Sequence, residues 1–317
     1  MRPLFRQMLW CGAIAAAPLL AACSDDDNDM ITLPDDSGIQ NGADSIQTDA
    51  EWAVDSVDLW CRRDTNNIYG VMYYNATTSE PQPAVVLSHS SSLTHASMKG
   101  YAAQIARMGY AAYCFDFCGG SDESKSDGAM DSMTVFTEVE DLRAVVRTVK
   151  GMPYVDPSRV YLLGSSQGGL VSALLADECP DDFAGMVLFY PAFNIPEMVQ
   201  MFSNLGSMGN IGNWGDLSGM MTMSEAYINS IKDYDVWAHV GTFPKPVCII
   251  HGTKDIVVPI ANSEKAAALY PAATLHKIEG ANHGFNSANL GSMGAMMGAS
   301  ADYDAQVMPI VEAFLKK

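Results

Sequence analysis

Three short segments carry residues that could share one reaction. In Gly164-Ser165-Ser166-Gln167-Gly168-Gly169, between the apolar runs VYLL and LVSALLADE, only Ser166 has glycine both two residues before and two residues after it. Ser165 has Leu163 at the earlier place and is out of register. Glycines so spaced allow a serine to stand on a strained strand-to-helix turn that bulkier neighbours would block. A serine hydroxyl is a weak nucleophile until a base removes its proton. His283, in the glycine-bounded loop GANHGF after an apolar run, is the histidine placed to do so. A carboxylate must then orient the imidazole and stabilise its charged form. Asp255, in HGTKDIVVP directly after PVCII, supplies one. The G-x-S-x-G spacing is weak alone; its agreement with Asp255 and His283, in the order nucleophile, acid, base, is much more specific. The chemistry implied is attack on an acyl carbonyl. The resulting oxyanion needs donors held ready: the N–H of Gln167 is one. The other is expected from His89-Ser90-Ser91-Ser92, with Ser91 preferred and Ser90 the alternative.

The elements that must position these residues are legible as runs. AVVLSH (84–89), AAYCFD (111–116), VYLLG (160–164), MVLFY (186–190), PVCIIH (246–251) and ATLHKI (273–278) are near-continuous apolar stretches, as expected of strands buried on both faces. VDLWCR and IYGVMYY (68–74) read as an antiparallel opening pair. Between the runs lie helical patterns over 98–108, 133–149, 170–176, 263–269 and 305–315. The second places Val135, Val139, Leu142, Val145 and Val149 on one face. Strand alternating with helix predicts an α/β fold, a mostly parallel sheet of about eight strands with helices on both sides. Ligands bind such sheets at the carboxyl ends of the strands, which is where Ser166, Asp255, His283 and the Ser90–Ser92 loop fall. Residues from about 194 to 243 hold no convincing strand and read as a small inserted lid, rich in methionine.

The 317 residues are 48% hydrophobic and 17% charged, with a formal net charge of -19. That acidity disfavours nucleic acid as a partner. Residues 1–22 combine Arg2 and Arg6 with a short apolar stretch and read as a secretory signal peptide. Leu20-Ala21-Ala22-Cys23 resembles the lipobox of bacterial lipoproteins, which implies lipid attachment at Cys23 and a membrane anchor in the cell envelope. The following SDDDND resembles the acidic tag that sends some lipoproteins to the outer surface of Gram-negative cells. Residues 23–50 then form an acidic flexible tether, and 51–317 the folded domain. Beyond Cys11 and Cys23 five cysteines remain, an odd number. Cys114 and Cys248 read as small buried hydrophobes, and no spacing calls for a metal or another cofactor.

From about residue 55 onward the chain resembles the α/β-hydrolase superfamily, and within it the cinnamoyl (feruloyl) esterase-like branch. The likeness rests on CFDFCGGSDESKSDG (114–128), MTVFTEVEDL (133–142), GSSQGG, KPVCIIHGTKDIVVP (245–259) and TLHKIEGANHGF (274–285). It implies an α/β-hydrolase fold with a lid before KPVCIIHG. It also implies a catalytic set Ser166, Asp255 and His283, oxyanion N–H groups from Ser91 and Gln167, and ester hydrolysis through an acyl-enzyme. The substrates implied are feruloyl or acetyl esters, such as those on plant polysaccharides. One departure stands out: the branch usually has His-Gly at the oxyanion strand end, where this chain has His89-Ser90. A serine exopeptidase on the same scaffold and a non-catalytic glycan-binding surface lipoprotein are the alternatives.

The remaining candidates receive plainer readings. His89 is expected to brace the oxyanion loop and Asp116 to hold a loop. His251 and His276 are expected in the core, and His95 and His239 on the surface. Met198, Met201, Met208, Met220, Met221, Met223, Met293, Met296 and Met297 are expected to pack the lid rather than form a binding surface. Trp214 and Tyr227 could stack on a sugar or aromatic acid.

Overall fold

A computed structural model of the protein describes residues 54–207, 223–285 and 302–317, all within one unit, Asp49–Lys317. The leader, Cys23 and the tether lie outside the described residues. So do Trp214 and, among the methionines named above, Met208, Met220, Met221, Met293, Met296 and Met297.

A hairpin, β1 (Asp55–Arg63) and β2 (Asn66–Tyr74), opens the fold, and its register pairs Asp55 with Tyr74 and Arg63 with Asn66. Then come β3 (Gln82–Ser88), β4 (Ala111–Phe115), β5 (Val155–Ser165), β6 (Gly185–Phe189), β7 (Val247–Gly252) and β8 (Ala273–Ile278). They form one eight-stranded sheet in the order β1-β2-β4-β3-β5-β6-β7-β8. β2 is antiparallel to β1 and β4, and every pairing from β4 to β8 is parallel.

The continuous apolar runs serve two faces at once. In β6, Met186 and Leu188 enter one core while Val187 and Phe189 enter the other; in β7, Val247 and Ile249 oppose Cys248 and Ile250 in the same way. Side chains alternate across a strand, so a strand with helices above and below must be apolar throughout. Each valine or leucine fully buried this way contributes about 1.5–3 kcal/mol relative to exposure. β8 is at the sheet edge and only half-buried. His276 is accordingly half-buried there, not in the core as its apolar context suggests.

Helices α1 (Lys99–Arg107) and α7 (Asp304–Leu315) cover one face; α2 (Val135–Lys150) and α3 (Gln167–Glu178) cover the other. α2 begins at a capping box in which the side chains of Thr134 and Thr137 each accept from the other's backbone N–H. α3 is buried from Gln167 through Ala176. All-round burial erases the amphipathic period, which is why the sequence pattern finds only its middle. Between β6 and β7 the chain carries α4 (Ile195–Ser207) and α5 (Glu225–Ile231). Met198 and Met223 there pack against the core, whereas Met201 is exposed. α6 (Ala261–Leu269) joins β7 to β8.

Candidate active site

Ser166 follows β5 immediately and has φ 52° and ψ -117°, in the left-handed region that side chains rarely occupy. The surroundings hold it there. Its N–H donates to the Phe189 carbonyl, and its own carbonyl accepts from Gly169, Leu170 and Ala192. The flanking glycines are sterically required. A Cβ at Gly164 would lie 2.2 Å from the Gly168 carbonyl oxygen, and one at Gly168 would lie 2.4 Å from the His89 carbonyl oxygen. The elbow is therefore clasped between α3 and the end of β3. Ser166 stands at the N-cap of α3, yet its side chain makes no capping bond. Its Oγ lies 3.0 Å from Nε2 of His283 instead.

His283 comes from the loop after β8, and its Nδ1 donates to Oδ2 of Asp255 at 2.7 Å. Asp255 follows β7, and its side chain is fully buried. Oδ1 accepts from the amides of Val257 and Val258, both at 2.9 Å, and Oδ2 also faces Nε2 of His251 at 3.1 Å. Burial pushes the Asp255 carboxyl upward. The bonds from His251, His283 and Val258 more than offset it and hold the group well below the usual carboxylate range. His251 is a core histidine, as its strand context suggests, and the sequence reading missed its grip on Asp255. Its Nε2 faces two acceptors, Asp255 and the Val258 carbonyl, and so carries an N–H that they share, while Nδ1 meets the Ser263 hydroxyl at 2.7 Å.

Tyr190, just past β6, also escaped notice. Its φ is 36°, its N–H donates to the Ile250 carbonyl, and its ring stands edge-on to His283 at 4.6 Å. A bulky residue held in that backbone region marks strain sustained by its neighbours, and here it walls one side of the imidazole.

The loop after β3 lies against the elbow. His89 accepts from the Phe117 amide at Nε2, so its Nδ1 carries the proton and donates to the Ser90 carbonyl at 2.8 Å. Burial lowers its pKa, so the brace is a neutral imidazole. The Ser90 hydroxyl turns back to Ser165 Oγ at 2.9 Å. Ser90 does not have a left-handed backbone, so a side chain is tolerated there. Ser91 is half-buried, next to Ser92 with φ 60°. Gln167 opens α3, so its N–H belongs to the first turn, where amides have no intrahelical partner.

Two of the plainer readings, for His95 and Tyr227, need correction, and those for Asp116 and His239 hold. His95 is not a surface residue. It is buried, and its N–H and Nδ1 both reach Asp116 Oδ1, at 2.6 and 2.7 Å. Asp116 holds loops together, as expected, with Oδ2 accepting from the Lys125 amide. Burial raises its pKa, but the bonds from His95 and Lys125 prevail and lower it. Tyr227 is no stacking platform: it is 2% exposed, and its hydroxyl donates to Gln167 Oε1 at 2.7 Å. His239 is exposed, as expected, and stacks on Tyr234 at 4.7 Å.

The overall fold recurs in solved structures. Est1E from Butyrivibrio proteoclasticus, solved with ferulic acid bound, superposes with a TM-score of 0.61 at 22% identity. The match covers 80% of this chain and 99% of that one. The fold is that of the α/β-hydrolases. A monoacylglycerol lipase from Paleococcus ferrophilus shares this α/β-hydrolase fold with a TM-score of 0.56 at 17% identity, over 78% of this chain and 98% of that one. A family model described as serine aminopeptidase, S33, matches residues 79–218, which include the Ser90–Ser92 loop and the elbow. The acylamino-acid-releasing enzyme of Arabidopsis thaliana is 26% identical over 189 residues, 58% of this chain. The chain spans 24% of that curated relative's length.

Proposed function

We propose that the protein is a serine carboxylic-ester hydrolase that works through an acyl-enzyme. The observation that carries this reading is the unbroken hydrogen-bonded chain from Ser166 Oγ to His283 Nε2 at 3.0 Å and from His283 Nδ1 to Asp255 at 2.7 Å. In the reaction Ser166 Oγ attacks the carbonyl carbon while its proton passes to His283 Nε2. The negative charge gathers on the carbonyl oxygen, met by the N–H groups of Gln167 and Ser91. Collapse breaks the ester C–O bond, and the alcohol leaves with the proton from His283. Water then attacks the acyl-enzyme, His283 takes its proton, and the acid departs as Ser166 regains the proton. Asp255 remains ionised throughout and steadies the imidazolium.

Feruloyl or acetyl esters of plant polysaccharides are the proposed substrates, supported by the likeness to Est1E. The aminopeptidase family model and the acylamino-acid-releasing relative favour a second reading, hydrolysis of short peptides by the same residues. Turnover of methyl ferulate, nitrophenyl acetate and aminoacyl-nitroanilides by wild type and Ser166→Ala separates the two. Ester turnover that Ser166→Ala abolishes supports the proposal, whereas turnover of the anilides alone overturns it.

We also propose that Cys23 carries lipid and tethers the domain in a bacterial envelope, supported by the Leu20-Ala21-Ala22-Cys23 signature. Cys23→Ser then shifts the protein from the membrane to the soluble fraction; unchanged membrane retention overturns the anchor.

A further inference from the structure

The side chain of Gln167 is held at both ends. Its Nε2 donates to Glu138 Oε2 at 2.8 Å, and its Oε1 accepts from the Tyr227 hydroxyl at 2.7 Å. All three residues are at most 2% exposed. They come from three elements: Glu138 from the first turn of α2, Gln167 from the start of α3, and Tyr227 from α5 in the inserted segment. Tyr227 is itself pinned, since its N–H donates to the capping side chain of Ser224 at 3.0 Å.

Stability alone does not call for such a chain. Burying a carboxyl, an amide and a phenol costs desolvation that their mutual bonds only offset, and a well-packed apolar trio would serve a core as well. What the bonds add is direction. Gln167 is the residue after the elbow serine, and its main-chain N–H is the proposed oxyanion donor. An oxyanion donor is effective only if it is aimed before charge develops. A side chain gripped from α2 on one side and α5 on the other restrains that backbone.

We propose that Glu138 and Tyr227 are positioning residues of the oxyanion hole, and that through Tyr227 the inserted helix α5 sets the aim of the Gln167 N–H. This inference rests on the serine-hydrolase reading above. Burial pushes the Glu138 carboxyl up to about 8, with the Gln167 bond opposing and Asp141 adding to the rise, so below that pH the chain is uncharged throughout. A neutral isostere at 138 can therefore stand in for it.

The test uses the full chain in three variants, with a fluorophosphonate probe and a nitrophenyl ester. On the probe, Ser166 Oγ forms a bond to phosphorus and fluoride leaves, and the phosphoryl oxygen occupies the oxyanion hole. The proposal expects Tyr227→Phe and Glu138→Leu to lower kcat about tenfold with KM within about twofold, and to slow phosphonylation in the same proportion. Removing an oxyanion donor outright costs about 10²–10³, and loosening one costs less. Glu138→Gln, which keeps an acceptor for the Gln167 amide, recovers the rate lost in Glu138→Leu to within about threefold of wild type. Phosphonylation of Tyr227→Phe at the wild-type rate overturns the inference while leaving the serine-hydrolase reading intact. So does a rise in KM with kcat unchanged. A folded wild type that neither labels nor turns over esters overturns both. Tyr227→Phe removes one oxygen atom, so it decides the matter even where Glu138→Leu fails to fold.

Discussion

Asp255 and Glu138 are both buried carboxylic acids within two side chains of the elbow serine, and their surroundings drive them in opposite directions. Asp255 sits at the open end of the parallel strands and receives two backbone amides and two imidazoles. Glu138 sits beneath α3 and receives the Gln167 amide. Burial raises both; donors reverse the effect only at Asp255. The contrast teaches that burial alone does not decide a carboxyl's charge here. The number of donors aimed at it does, and it sets a carboxyl held ionised behind His283 apart from one whose proton is held more tightly behind Gln167.

The sharpest way to break the comparison is to neutralise the ionised member. Asp255→Asn should lower kcat on a nitrophenyl ester by about 10³–10⁴, because the imidazole loses its orienting charge. Its stability effect has a definite window. Asp255 is depressed on folding, so its contribution is fully present above the unfolded value near 3.8 and is lost as pH falls through the folded value. Denaturant unfolding should therefore separate wild type from Asp255→Asn most above about pH 4, and less in stronger acid.

Glu138 should behave in the opposite sense. Its folded pKa is about 8 against 4.5 for the free group, so the folded state holds the proton more tightly. The cost of burying it is absent below the unfolded value, grows with rising pH and levels off above about 8. Glu138→Gln should thus gain on wild type across that interval, by a few kcal/mol at the alkaline end. The neighbouring Asp141 is paired with Arg63 at 2.5 Å and stays in place in both proteins. Unfolding curves at several pH values test this, and parallel curves would contradict it. The smallest effect belongs to His251→Asn. It removes one of the donors to Asp255, leaves His283 and two amides, and should reduce kcat by roughly tenfold, about 1–1.5 kcal/mol.

Sequence reasoning reached one carboxyl and not the other for a physical reason. Asp255, Ser166 and His283 each lie in a local motif at a strand end, and the parallel sheet brings strand ends together without help from distant side chains. The strands β3 to β7 were legible because burial on both faces makes them apolar throughout. Glu138, Gln167 and Tyr227 meet across separations of 29 and 60 residues, and nothing local announces the meeting. The same holds for His95 and Asp116, 21 residues apart. One signal was present: Glu138 and Asp141 fall inside the apolar stripe of α2, where an acid must find a buried partner. The start of α3 was hidden because a helix buried all round shows no period.

The central claim, an activated serine at position 166, is tested most directly by fluorophosphonate labelling with the modified residue located by peptide mass spectrometry. The account predicts covalent label on Ser166 of the folded wild type and none in Ser166→Ala. A folded wild type that takes no label, or a label that persists in Ser166→Ala, would contradict it.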